Sequence, residues 1–157
     1  MENTIHDGDW LIARRVCASC VMHGDIIIFR IPNDADSVLV KRVVGIQGDR
    51  VRIHYGELFI EGVSVDEPYV RHEASYAPAS DSWPTDDWVS AGMRFITVPA
   101  GNYFVLGDNR EASFDSRGFG TVPGADVVGV VVFDLHNMRR VNLGSPMKFP
   151  QPGCKKW

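Results

Sequence analysis

The chain has 157 residues, 45% of them hydrophobic and 23% charged, with a formal net charge of −4. Such a length suits one domain with a real core, and the composition excludes an intrinsically disordered chain. The acidic balance argues against a nucleic-acid partner, whose domains carry a basic face, and no apolar run reaches the ~20 residues of a membrane-spanning helix.

In chain order, the start Met1-Glu2-Asn3-Thr4 is polar and lacks the basic-then-apolar order of a signal peptide. His6-Asp7-Gly8-Asp9 reads as a turn. His6 beside Asp7 offers two parts of a catalytic triad, but sequence neighbours point apart in most backbones, which leaves a surface turn. Strands are expected at 9–13, 25–31, 38–46, 50–53, 57–60, 94–98, 103–106 and 127–134, short runs rich in Val, Ile and Phe. Turn signals separate them: His23-Gly24-Asp25, Gly48-Asp49, Tyr55-Gly56 and Pro99-Ala100-Gly101. The expected fold is all-β, coiled sheets or a barrel, over one domain at 1–141. Residues 71–92 differ in composition, with Pro78, Pro84, Trp83 and Trp88, and read as an inserted lobe or long loop. Trp83, Trp88 and Phe95 either pack that lobe or face a membrane interface. Residues 142–157 are rich in Pro and Gly and read as an irregular tail.

The three cysteines, Cys17, Cys20 and Cys154, do not form a disulfide framework. Cys17-x-x-Cys20 fits a redox pair, half a zinc site, ordinary thiols or, in an oxidising compartment, a local disulfide. No second Cys/His pair at metal-ligand spacing follows, so no metal is expected.

Two stretches carry candidate chemistry. In Val38-Leu39-Val40-Lys41-Arg42-Val43-Val44-Gly45, strand alternation puts Leu39, Lys41 and Val43 on one face and Val40, Arg42 and Val44 on the other. A lysine between apolar neighbours either reaches solvent from an edge strand or is desolvated, which lowers its pKa and makes it a competent general base. In Gly107-Asp108-Asn109-Arg110-Glu111-Ala112-Ser113-Phe114-Asp115-Ser116-Arg117, polar groups crowd a turn after a strand. Asp108 and Arg110, and Asp115 and Arg117, lie two apart and could pair to make the loop rigid. A hydroxyl such as Ser113 could then orient a lysine amine.

In order, these segments resemble the type I signal peptidase family. That family reads Ser-Met-x-Pro-Thr-Leu, then Gly-Asp, then Gly-Asp-hydrophobic, then Lys-Arg-x-x-Gly-x-x-Gly-Asp, then Gly-Asp-Asn-Arg-x-x-Ser-x-Asp-Ser-Arg. Here stand Met1-Glu2-Asn3-Thr4-Ile5, Gly8-Asp9, Gly24-Asp25-Ile26, Lys41 to Asp49, and the block from Gly107 to Arg117. The resemblance implies a serine-lysine peptidase with Lys41 as general base and Ser113 orienting it. It implies structural pairs Asp115–Arg117 and Arg42–Asp108, and a small-residue pocket lined by Met1, Ile5, Leu39 and Val40. It further implies signal peptides with Ala-x-Ala sites as substrates, a membrane-surface partner, an extracytoplasmic location on the cell membrane, and no metal or organic cofactor. Two departures accompany it. Asn3 stands where the family has Pro, and the family's nucleophilic Ser would directly precede Met1, so the 157 residues by themselves are expected to be soluble and inactive. The weaker alternatives are a catalytically dead peptide-binding homologue, an SOS-repressor-type autoprotease and a conjugation-type peptidase.

Overall fold

A computed structural model describes residues 1–2, 4–17, 20–31, 34–54, 56–70, 89–90 and 93–141. The described strands are β1 Leu11–Arg14, β2 Ile26–Ile31, β3 Asp34–Ile46, β4 Arg50–His54, β5 Glu57–Ile60, β6 Val63–Ser64, β7 Val89–Ser90, β8 Met93–Arg94, β9 Ile96–Thr97, β10 Asn102–Leu106, β11 Val122–Pro123, β12 Val127–Asp134 and β13 Arg139–Arg140. One helical turn, α1 Ser116–Phe119, and a 3₁₀ turn at Gly124–Asp126 complete the list.

The strands form a seven-stranded antiparallel sheet in the order β1-β12-β2-β3-β10-β11, with β13 added on β12. A second sheet runs β6-β5-β4-β9, and β7 pairs with β8. The long β3 is the hinge of the design, because its far end turns into β4 and so carries the chain from the first sheet to the second. Gly45 makes the join possible. A Cβ there would fall 2.5 Å from the Val51 side chain and 3.1 Å from Val98, so only a residue without a side chain lets the second sheet close on β3.

Register decides what faces the site. Lys41 pairs with Ile27 and Leu39 with Phe29, while Arg42 pairs with Ile26 and Val40 with Ile28. Ile27, Phe29 and Val43 belong to the main core cluster, against which Leu39 also packs. Ile26 belongs to a separate cluster with Ile5, Val131 and Val141, against which Met1, Ile28 and Val40 pack. The second sheet has its own core of Val44, Val51, Leu58, Ile60, Val98, Phe104 and Leu106. Burying this many branched apolar side chains contributes about 1.5–3 kcal/mol each.

The mainly-β expectation agrees with this architecture. Three boundaries moved most: β1 begins at Leu11 instead of residue 9, β3 begins at Asp34, four residues before the expected start, and the expected strand 94–98 is split, with Arg94 ending β8 and Ile96–Thr97 forming β9. The block after β10 was expected as a loop, yet α1 lies inside it. Cys17 and Cys20 are joined in a disulfide. No group of three or more metal-ligating side chains occurs among the described residues. The His6 ring is exposed and lies 3.7 Å from Asp9, not Asp7, so that turn holds no triad. Phe95 stacks under the Arg50 guanidinium at 3.8 Å. Trp83, Trp88, nearly all of the expected lobe at 71–92, Cys154 and the tail 142–157 lie outside the described residues. Among the described residues no helix is long and apolar enough to cross a membrane.

Candidate active site

β3 delivers two neighbouring cations to opposite faces of the sheet, and the loop leaving β10 supplies the groups that receive them. Lys41 is 8% exposed, and its Nζ donates to Ser113 Oγ at 3.0 Å. Burial pushes the Lys41 ammonium below the ordinary lysine range; Asp115 and Asp108 partly counter this, while Arg117 adds to it. Its apolar surroundings follow from the register, since Leu39, Val43 and Ile27 share its face.

Arg42 is 2% exposed and makes a two-pronged contact with Asp108, Nε to Oδ1 at 2.9 Å and Nη2 to Oδ2 at 2.7 Å. Its Nη1 donates to the Gly24 carbonyl at 3.0 Å, and its guanidinium lies 3.8 Å above the Tyr69 ring. Arginine suits this place because it keeps its charge and its planar fork matches a carboxylate. Asp108 also accepts a hydrogen bond from the Thr4 hydroxyl, which ties the start of the chain to the same ion pair.

Asp115 does several jobs with one carboxylate. It caps α1 by accepting from Arg117 N at 3.2 Å, and it accepts from Arg117 Nε at 2.8 Å and Nη2 at 2.9 Å. It also accepts from Gly107 N at 3.0 Å, closing the loop on itself. Burial by itself would raise the Asp115 carboxyl. The hydrogen bonds and charge of Arg117, with help from Gly107 and Ser113, outweigh it and hold the group below the usual carboxylate range. Ser116, fully buried, accepts from Val105 N at 2.9 Å and fastens the loop to β10. Gly107 is the seat of Ser113: a Cβ there would come 2.6 Å from Ser113 Cβ.

Met1 curls back toward this cluster, its carbonyl accepting from Thr4 N at 2.8 Å and Ile5 N at 2.7 Å. Burial lowers the pKa of its α-amino group, and repulsion from Lys41 lowers it further, while Asp108 and Glu2 partly counter this.

The structure thus brings together Lys41, Ser113, Asp115 and Arg117, and separately Arg42 and Asp108. Of the four expected pocket residues, Met1, Ile5 and Val40 share one apolar cluster, whereas Leu39 packs on the opposite face of β3. Alternation along a strand does not let Leu39 and Val40 line one wall. The considered pairing of Asp108 with Arg110 does not form. Arg110 instead grips Glu67, Nη1 to Oε2 at 2.8 Å and Nη2 to Oε1 at 2.5 Å.

The family model of signal peptidase, peptidase S26, matches residues 1–136. The chain belongs to the signal peptidase I family, which is a family of serine peptidases. It is 34% identical over 137 residues to signal peptidase I V of Bacillus subtilis strain 168, covering 83% of this chain and 77% of that protein. It is 32% identical over 143 residues to signal peptidase IB of Staphylococcus aureus strain COL, covering 85% and 71%. A crystal structure of a signal peptidase I from Enterococcus faecalis V583 superposes with a TM-score of 0.54 at 36% identity, covering 70% of this chain and 95% of that one.

In this signal peptidase family member, three residues close to the site were not singled out from the sequence: Thr4, Glu67 and Tyr69. Tyr69 donates its hydroxyl to Glu67 Oε1 at 2.6 Å beneath Arg42. Glu67 and Tyr69 occupy a short polar stretch without periodicity, so no local pattern marks them. The one available signal was charge: a buried Arg110 demands a carboxylate from somewhere.

Proposed function

We propose that this chain is a signal peptidase I-type serine endopeptidase that removes signal peptides from exported pre-proteins, with Lys41 as the general base of a Ser-Lys dyad. The observation that carries the reading is Lys41 itself: an amine buried in an apolar wall, held by the Ser113 hydroxyl at 3.0 Å, with the Met1 amino group beside it. A residue placed immediately before Met1 extends from an amino group whose pKa the Lys41 charge lowers. A serine there is the nucleophile of this reading.

In the reaction, neutral Lys41 takes the serine proton as the hydroxyl oxygen attacks the scissile carbonyl. The protonated lysine then gives that proton to the departing amine, leaving an acyl-enzyme. Lys41, neutral again, takes a proton from water as the water oxygen attacks the acyl carbon, and returns it to the serine oxygen as the ester bond breaks, releasing the cut signal peptide. Ser113 fixes the direction of the Nζ lone pair, and Leu39, Val43 and Ile27 keep the amine desolvated. Met1, Ile5 and Val40 form the apolar wall for the small side chains of Ala-x-Ala sites. The proposed location is the extracytoplasmic face of the cell membrane, where the Cys17–Cys20 disulfide is stable.

The test is cleavage of a purified pre-protein carrying an Ala-x-Ala site. The chain extended by one serine before Met1 is expected to cut it, and Lys41→Ala in that protein to abolish the cut. As the control, the same protein extended by alanine in place of that serine is expected to leave the substrate whole. Failure of the serine-extended protein to cut would overturn the dyad assignment.

A further inference from the structure

The loop that carries Ser113 and the segment that starts at Met1 reach the site from different parts of the chain, and each is anchored by its own arginine. Arg110 holds the loop: its Nε donates to the Gly107 carbonyl at 3.0 Å, and its own carbonyl accepts from Arg117 Nη2 at 2.7 Å. Gly107 is the residue on which Ser113 rests. Arg42 holds the other side through Asp108, to which Thr4 donates its hydroxyl.

Between these two arginines stand Glu67 and Tyr69. Glu67 is bound by both terminal nitrogens of Arg110 and by the Tyr69 hydroxyl, and the Tyr69 ring lies flat against Arg42. The side chains of Glu67 and Arg110 are nearly inaccessible, at 7% and 4%. Burial, then the negative charge of Glu67, raises the Tyr69 phenol, so its O–H remains a donor. The stretch bearing both residues is itself held in place, with Val65 N donating to Leu58 O at 2.9 Å and Val70 buried.

We infer that Glu67 and Tyr69 act as positioning residues: a buried clasp that sets the Ser113–Lys41 side of the site in register with the Met1–Thr4 side. Neither touches substrate. Glu67 acts through Arg110 and Gly107 on the seat of Ser113, and Tyr69 acts through Arg42 and Asp108 on the segment from which the nucleophile enters. The catalytic part of this inference rests on the proposed dyad; the geometric part does not. A buried carboxylate shared by an arginine and a phenol transmits displacement because none of the three can move without exposing an unpaired group.

The test uses Glu67→Gln, close in shape but without the charge, and Tyr69→Phe, which keeps the ring under Arg42 and removes only the hydroxyl. The first readout is an NMR titration of the Lys41 side chain in the 157-residue chain, which needs no activity. Both variants are expected to move the Lys41 midpoint toward the ordinary lysine value while the remaining spectrum stays that of the folded protein. The second readout is peptide cleavage by the serine-extended protein. There kcat is expected to fall roughly tenfold with KM within about twofold, short of the 10²-fold that a misplacement near 1 Å can bring. An unmoved Lys41 midpoint in folded Tyr69→Phe and Glu67→Gln overturns the clasp. If the serine-extended parent cuts nothing, the dyad reading fails, and the titration alone still decides the clasp.

Discussion

Lys41 and Arg42 are consecutive in β3, yet they leave the sheet on opposite faces and meet opposite electrostatic surroundings. Arg42 is answered by the Asp108 carboxylate at 2.7 Å, whereas Lys41 meets the neutral hydroxyl of Ser113 at 3.0 Å. In the second arrangement burial disfavours the charged form and lowers the amine's pKa, the direction that favours a general base.

The cost has a measurable sign. Because the folded-state pKa of Lys41 is lowered, the folded protein binds fewer protons than the unfolded chain between that value and about 10.4, the ordinary lysine pKa. Lys41 therefore makes stability rise with pH through this window, and it is destabilising below it. Lys41→Met, which fills the same space without charge, is expected to raise the Tm at neutral pH and to flatten the alkaline rise. In the serine-extended protein the same change should lower kcat/KM by at least about 10³-fold. A Tm lowered at neutral pH would contradict the desolvated-amine account.

Ser113 is expected to matter through its hydroxyl alone. Ser113→Ala removes one hydrogen bond to a charged or reactive amine, which is worth about 1.5–3 kcal/mol, or roughly 10- to 150-fold in kcat. Gly107→Ala reaches the same place from behind, because its new Cβ falls 2.6 Å from Ser113 Cβ and must displace it. Peptide kinetics should therefore rank Gly107→Ala at or below Ser113→Ala, although Gly107 bears no side chain of its own. Full activity in Gly107→Ala would show that Ser113 does not rest there.

The Arg42–Asp108 pair should behave as a buried unit. Arg42→Met removes the arginine fork that answers the buried Asp108 carboxylate, and is expected to cost about 3–5 kcal/mol. Asp108→Leu should cost a similar amount by taking the carboxylate from buried Arg42. The double variant removes both charges together and should be less destabilised than the sum, with a coupling of about 1–3 kcal/mol. Urea midpoints at unchanged m values would measure it. Additive losses would mean that the two side chains act separately.

Much of this was legible in the sequence, and the illegible part has physical causes. Alternation alone put Lys41 and Arg42 on opposite faces, and the short branched runs marked most strands of both sheets. The first residues of β3, Asp34-Ala35-Asp36, were missed because a polar run carries no apolar period. Helix α1 was missed because one turn is too short to show a 3.6-residue period, although Asp115 before Ser116 is an N-cap signal. Arg110 was offered to Asp108 because spacing in a loop says nothing of direction. Its true partner, Glu67, is 43 residues away in sequence. Leu39 was grouped with Val40 by the family resemblance, against the strand alternation that separates them.

Asp115 supplies the last prediction, and its sign is opposite to that of Lys41. Its folded-state pKa is depressed below the ordinary aspartate value of 3.8, so its contribution is present above that value and is lost as pH falls through the folded one. Asp115→Asn keeps a single acceptor oxygen, which serves either the Arg117 N–H now held by Oδ1 or the Gly107 N–H now held by Oδ2 but not both, and it gives up the charge opposite Arg117. Arg117 is partly solvated, at 23%, so the loss is screened and is expected near 1.5 kcal/mol at neutral pH, below that of the Arg42–Asp108 pair. Tm measured from neutral to strongly acid pH should show the variant below the parent at neutral pH and the two curves converging as pH falls through the lowered Asp115 value. Because Asp115 also raises the Lys41 pKa, the same variant should shift the alkaline rise assigned to Lys41 to lower pH. Curves that stay parallel across the acid range would mean that Asp115 holds the loop by shape and not by charge.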